Sequence, residues 1–84
     1  YANSGEINST VADAPAKLAE IRAWAAQHGA DVDELDGMTV TLDGGRWFNV
    51  RSSNTEPLLR LNVEAPTAAD MAALRDEILA LIRA

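Results

Sequence analysis

Two arginines, Arg51 and Arg60, bracket a run of small polar residues, Ser52-Ser53-Asn54-Thr55, closed by Glu56 and Pro57. These side chains are equipped to hold a phosphate. A guanidinium presents a planar fork of N–H donors that matches phosphate oxygens. Hydroxyls, an amide NH2 and the backbone N–H groups of a turn can fill the remaining oxygens. By residue type alone the run reads first as a solvated hairpin turn with an arginine nearby, because Ser, Asn and Pro are turn formers. Its charge is unusual for its setting. The chain carries a formal net charge of −6, whereas Arg51–Arg60 holds two arginines and one glutamate. An anionic ligand is steered to such a spot. The overall acidity argues against generic nucleic-acid binding, which needs a basic surface.

Other reactive residue types carry less. His28 is the only histidine and falls near a helix C-terminus, where it meets the helix dipole. Nothing in sequence suggests an acid–base partner for it. Asp31-Val32-Asp33-Glu34-Leu35-Asp36 places four carboxylates in six residues. It lacks the ligand intervals, central Gly and closing Glu of a calcium loop, and reads as a solvated acidic loop or short strand. There is no cysteine, which excludes disulfides and thiol chemistry. No apolar run approaches the roughly twenty residues of a membrane span. No signal peptide or lipidation motif is visible, and a cytoplasmic location is expected.

Arg51-Ser52-Ser53-Asn54-Thr55-Glu56-Pro57, followed by Leu58-Leu59-Arg60-Leu61-Asn62-Val63-Glu64-Ala65, resembles the phosphate-binding loop of the α-D-phosphohexomutases. The similarity is to their phosphomannomutase/phosphoglucomutase branch; the phosphoglucosamine mutase branch usually has Gly at the position of Asn54. Ser4-Gly5-Glu6-Ile7-Asn8 resembles the segment leading from the third domain of those enzymes into the fourth, C-terminal one. The resemblance implies a TATA-binding-protein-like fold, with no DNA binding attached to that name. It implies that Arg51 clamps the non-reacting phosphate of a mannose or glucose phosphate. Ser53, Asn54 and Thr55 would donate hydrogen bonds, Arg60 would give support, and Ser52 has no assigned role. Interconversion of hexose 1-phosphate and hexose 6-phosphate would need the preceding domains of the same enzyme, with their phosphoserine, Mg2+ and sugar-selective loop, and a hexose bisphosphate activator. This chain has no phosphoserine motif and no Asp-Gly-Asp metal loop, so no catalytic residue, metal or cofactor is expected in it. The alternatives are a stand-alone anion-binding module and a structural domain with no ligand.

The elements that must position the loop follow from periodicity. Glu6–Val11 alternates weakly and suits an edge or half-buried strand. Asp13 and Pro15 start a helix in which Leu18, Ile21 and Ala25, flanked by Trp24 and His28, share a face that ends at Gly29. Met38–Asp43 and Arg46–Val50 alternate on either side of a tight turn at Asp43-Gly44-Gly45. Trp47 and Phe48 therefore point to opposite faces. In Leu58–Ala65, Leu59, Leu61, Val63 and Ala65 form the apolar side, opposite Arg60 and Glu64, which could pair. Thr67 caps a last helix, with Asp70 at the acid position of a capping box and Met71, Leu74, Ile78, Leu81 and Ile82 on one stripe. This order predicts an α+β domain over residues 1–84, with residues 1–5 as a linker. Its sheet is four- to five-stranded and mainly antiparallel, with both helices on one face.

Overall fold

Leu58–Ala65, strand β6, is the axis of the sheet, and its strict alternation explains why. Leu59, Leu61, Val63 and Ala65 are buried on one face, while the residues between them stay accessible on the other. The computed structural model describes residues 1–84. Along one edge of β6 runs β5 (Trp47–Ser52), in register from Trp47 opposite Glu64 to Ser52 opposite Leu59. Along its other edge lie two short strands, β1 (Ala2–Asn3) and β2 (Ile7–Thr10). Beyond β5 come β4 (Met38–Thr41) and β3 (Asp31–Asp33), and every pairing is antiparallel. The fold is α+β, and the sheet has six strands because residues 1–5 contribute β1.

Ser4 and Gly5 explain how β1 and β2 share one neighbour. The Ser4 N–H donates to the Val63 carbonyl at 2.9 Å, and Ser4 Oγ accepts the Val63 N–H at 2.9 Å. The side chain thus takes over a ladder position as the chain jogs. Gly5 makes the jog at φ +72°, a conformation costly for residues with a Cβ.

Two helices cover the face carrying Leu59, Leu61 and Val63. Helix α1 (Ala14–Gln27) opens where Asp13 Oδ1 accepts the Ala16 N–H at 3.1 Å, with Pro15 in the first turn. Helix α2 (Ala68–Ile82) opens where Thr67 Oγ1 accepts the Asp70 N–H at 3.1 Å. Only that half of the expected capping box forms. Ile21 and Ala25 from α1 and Leu74, Ile78 and Ile82 from α2 join Met38, Val40, Phe48 and Val50 in one core. Phe48 is fully buried, and Trp24 meets it edge-on with ring centroids 5.9 Å apart. Trp47, on the other face, is half-buried. The β4–β5 connection at Asp43–Gly45 is a 3-10 turn, closed by the Leu42 N–H donating to the Arg46 carbonyl at 2.9 Å.

The acidic segment is a strand followed by a turn. Val32 pairs opposite Val40, while Asp31 and Asp33 sit on the face away from the helices. Glu34 is tied back to α1 by a two-pronged contact, from Arg22 Nε to Oε2 at 2.9 Å and from Nη2 to Oε1 at 2.7 Å. These hydrogen bonds, with the nearby positive charge, hold the Glu34 carboxyl below its ordinary range. A carboxylate depressed in the folded state adds its tether above the ordinary carboxylate pKa and loses it as pH falls through the depressed value. Arg22→Ala is therefore expected to move the Glu34 titration midpoint up toward the free-carboxylate value. Carboxyl 13C shifts followed against pH read this directly, and an unmoved midpoint would count against the tether.

Candidate functional site

The uncovered face of the sheet presents Arg51, Asn49 and Trp47 from β5, Arg60, Asn62 and Glu64 from β6, and Thr39 from β4. Arg51 and Arg60 are direct cross-strand partners. Like charges directly opposite on one face are unfavourable unless something compensates. Asp36 compensates part of it, with its Oδ2 2.7 Å from Arg51 Nη2. Arg60 belongs to none of the ion pairs, which corrects the suggested partnership with Glu64. Glu64 instead stands across from Trp47 on one side and Asn3 on the other. Arg60 is thus an exposed, unpaired cation beside Arg51.

At the end of this cationic pair the chain turns through residues 53–57. The Ser53 N–H donates to the Leu58 carbonyl at 3.2 Å, which closes the turn. Ser53 Oγ accepts the Thr55 and Glu56 N–H groups, each at 3.3 Å. These two bonds occupy the acceptor capacity of the hydroxyl and leave its own hydrogen to donate. Thr55 Oγ1 lies 3.5 Å from Ser53 Oγ, so the two hydroxyls sit side by side. Asn54 is exposed at the tip and makes no side-chain hydrogen bond within the chain. The Val11 N–H donates to the Pro57 carbonyl at 2.8 Å, which anchors the base of the loop to the segment after β2. The structure therefore brings Arg51, Ser53, Asn54, Thr55 and Arg60 to one end of the β5–β6 hairpin.

Beside Arg51 the uncovered face holds a cavity of about 310 Å³, lined by Asp36, Thr39, Trp47, Asn49, Arg51 and Asn62. Asn62 Oδ1 is buried there without a hydrogen-bond partner. Asp36 and Asn49 are the site residues that sequence did not single out. Asp36-Gly37 signals only a turn, and the distance from Asp36 to Arg51 is fixed by the β4–β5 register.

His28 stands on the helix side of the sheet. It stacks on Trp24 at 4.0 Å, its Nδ1 lies 2.8 Å from the Trp24 carbonyl, and its Nε2 is 3.7 Å from Glu77. No group of three or more His, Asp or Glu side chains is arranged to hold a metal ion. The acidic segment shows why: Asp33 accepts the Leu35 N–H, Glu34 holds Arg22 and Asp36 holds Arg51. No helix is long and apolar enough to cross a membrane.

Residues 6–81 match the family described as phosphoglucomutase/phosphomannomutase, C-terminal domain. Among curated relatives, a protein described as phosphohexose mutases from Xanthomonas campestris pv. campestris is 51% identical over 72 residues, covering 84% of this chain and 15% of the relative. A phosphomannomutase of Escherichia coli is 44% identical over 81 residues, 95% of this chain and 18% of the relative. A phosphomannomutase of Methanocaldococcus jannaschii is 43% identical over 84 residues, 98% of this chain and 18% of the relative. The chain thus spans less than a fifth of the length of these relatives. With the match running from β2 through nearly all of α2, the chain belongs to the phosphoglucomutase/phosphomannomutase C-terminal domain family.

Proposed function

We propose that this chain is the part of a phosphohexomutase that grips the non-reacting phosphate of a mannose or glucose phosphate and helps close the active-site cleft. The observation that carries this reading is the cross-strand pair Arg51–Arg60, with Arg60 unpaired, at the mouth of a loop whose Asn54 amide makes no hydrogen bond within the chain. An anion between two facing guanidiniums relieves their repulsion and gains charge-assisted hydrogen bonds. Arg51 provides the fork, while the Ser53 hydroxyl, the Asn54 amide and the Thr55 hydroxyl reach the remaining oxygens. Arg60 adds charge from the neighbouring strand. None of these groups bonds to a sugar ring in this scheme, so the grip accepts either sugar and either orientation of its phosphates.

The contribution to catalysis is positional. Binding energy at a remote phosphate holds the reacting end in place, and such energy raises rate only when the rest of the active site is present. The chain alone is expected to turn nothing over. Its residues do not fit a Mg2+ site, because no three carboxylate or imidazole groups converge, and three of the four clustered carboxylates are engaged by Arg22, Arg51 and a backbone N–H. Mg2+, the phosphoserine and a hexose bisphosphate activator belong to the preceding domains in this reading.

A 1H–15N NMR titration of the chain with mannose 1-phosphate, glucose 1-phosphate and inorganic phosphate tests it. Saturable shifts centred on Arg51–Thr55 are expected, alike for both sugars, with affinity on the order of millimolar. Shifts centred elsewhere, or a strong preference between the sugars, would defeat the reading.

A further inference from the structure

The Arg51 side chain is held from outside the phosphate loop. Its Nη2 lies 2.7 Å from Asp36 Oδ2, on a residue fifteen positions earlier in the chain. Its Nε donates to Asn49 Oδ1 at 3.3 Å. Asn49 is itself fixed, because its Nδ2 donates to the Asp36 carbonyl at 3.2 Å and to Thr39 Oγ1 at 2.9 Å. Beneath the side chain lies Gly37. A Cβ at this position would stand 2.8 Å from Arg51 Cγ and 3.1 Å from the Val50 carbonyl oxygen. The arginine stem therefore rests directly on the Gly37 backbone, whose φ of +72° also suits glycine.

A guanidinium has five N–H donors. Two are engaged, one by Asp36 and one by Asn49, and three remain free. The engaged donors fix the plane of the fork and so fix where the free ones point. We propose that Asp36, seated by Gly37 and Asn49, is the positioning residue that aims Arg51 at the phosphate. This rests on Arg51 being the phosphate clamp.

A carboxylate beside an anion site could instead act as a competing internal anion. Exposure favours positioning. The Asp36 side chain is 78% exposed and that of Arg51 is 52% exposed, so water screens the carboxylate and it competes only weakly with a bound anion. Orientation, by contrast, matters at this site, because the unpaired charge of Arg60 directly opposite drives a free Arg51 side chain away. Asp36 holds it against that repulsion.

The two roles predict opposite effects of Asp36→Ala, weaker binding if Asp36 positions Arg51 and tighter binding if it competes with the ligand. The test is titration with inorganic phosphate of the wild type, Asp36→Asn, Asp36→Ala, Gly37→Ala and Arg51→Ala. The 1H–15N spectrum reports both the fold and the Arg51 Nε–H resonance. Asp36→Asn keeps an acceptor for Arg51 and removes a negative charge near the ligand, so it is expected to bind phosphate at least as tightly as the wild type. Asp36→Ala is expected to bind about fivefold more weakly, the scale of one exposed charged contact, with a displaced Arg51 Nε–H resonance. Gly37→Ala should weaken binding in the same sense by pushing the arginine stem aside. If Asp36→Ala binds as tightly as the wild type or more tightly, Asp36 does not position Arg51 and the proposal falls alone. If Arg51→Ala leaves phosphate binding unchanged, the clamp assignment falls and this proposal falls with it.

Discussion

Arg51→Ala is expected to abolish saturable phosphate binding by the chain while leaving its fold intact. A hydrogen bond to a charged group contributes about 1.5–3 kcal/mol net. Arginine commonly gives a phosphate two of them. Losing both is worth roughly 3 kcal/mol or more, about a hundredfold in affinity. Starting from an affinity on the order of millimolar, that moves half-saturation to roughly 0.1 M, beyond any practical titration. The side chain is exposed, so its removal should change stability by no more than about 0.5 kcal/mol. Arg51→Lys keeps the charge and loses the planar fork, and it should fall between the two. An alanine variant that still saturates at the wild-type ligand concentration would end the phosphate-clamp reading, including the role given to Asp36.

Phe48→Ala should act on the opposite property, destabilising the fold severely without touching the loop. Phe48 is fully buried in an interior strand, between Val40 on β4 and Val63 on β6, with Trp24 edge-on above it. Phe→Ala in a packed core costs about 3–5 kcal/mol. Proteins are stable by roughly 0.05–0.15 kcal/mol per residue, so a chain of this size has only about 4–13 kcal/mol to lose. For a domain of this size each kcal/mol moves Tm by about 4–8 °C, which predicts a fall of at least about 12 °C or no cooperative transition at all. Circular dichroism or calorimetry against temperature measures it. A drop of less than about 5 °C would mean that Phe48 is not the packing centre described here.

The fold was legible where burial imposes a period. The β6 alternation and the α2 stripe are read correctly because one face of each is sealed by the other. The caps at Asp13 and Thr67 are read correctly because they answer a local need, the free N–H groups of a first turn. Strand β1 was not legible. Ala2–Asn3 has no period to show, and its pairing exists because β6 is long enough to hold two partners end to end. In the site, the loop residues could be named from their types, whereas the support of Arg51 could not. Asp36 reaches Arg51 through the β4–β5 register, and sequence carries no sign of that distance. The suggested Arg60–Glu64 pair failed for a related reason. Arg60 and Glu64 lie four residues apart on one strand, with Asn62 between them on the same face, so about 13–14 Å of backbone rise separates them, and cross-strand neighbours stand far nearer than that.

Strand β3 closes one side of the sheet, and no strand of the chain pairs with its outer edge. An uncovered edge is a template on which a second molecule can add its own strand and begin an aggregate. Here Val32 is flanked by Asp31 and Asp33, all three exposed, with Glu34 and Asp36 just beyond. Another copy approaching edge to edge would bring its own Asp31 and Asp33 against these two, neither of which belongs to an ion pair within the chain. The acidic segment, which reads in sequence as a solvated loop or short strand, thus sets like charge along a free edge, the arrangement that disfavours self-association. Neutralising Asp31 and Asp33 would remove that like-charge barrier while leaving the loop between β5 and β6, with β4 intervening, chemically unchanged.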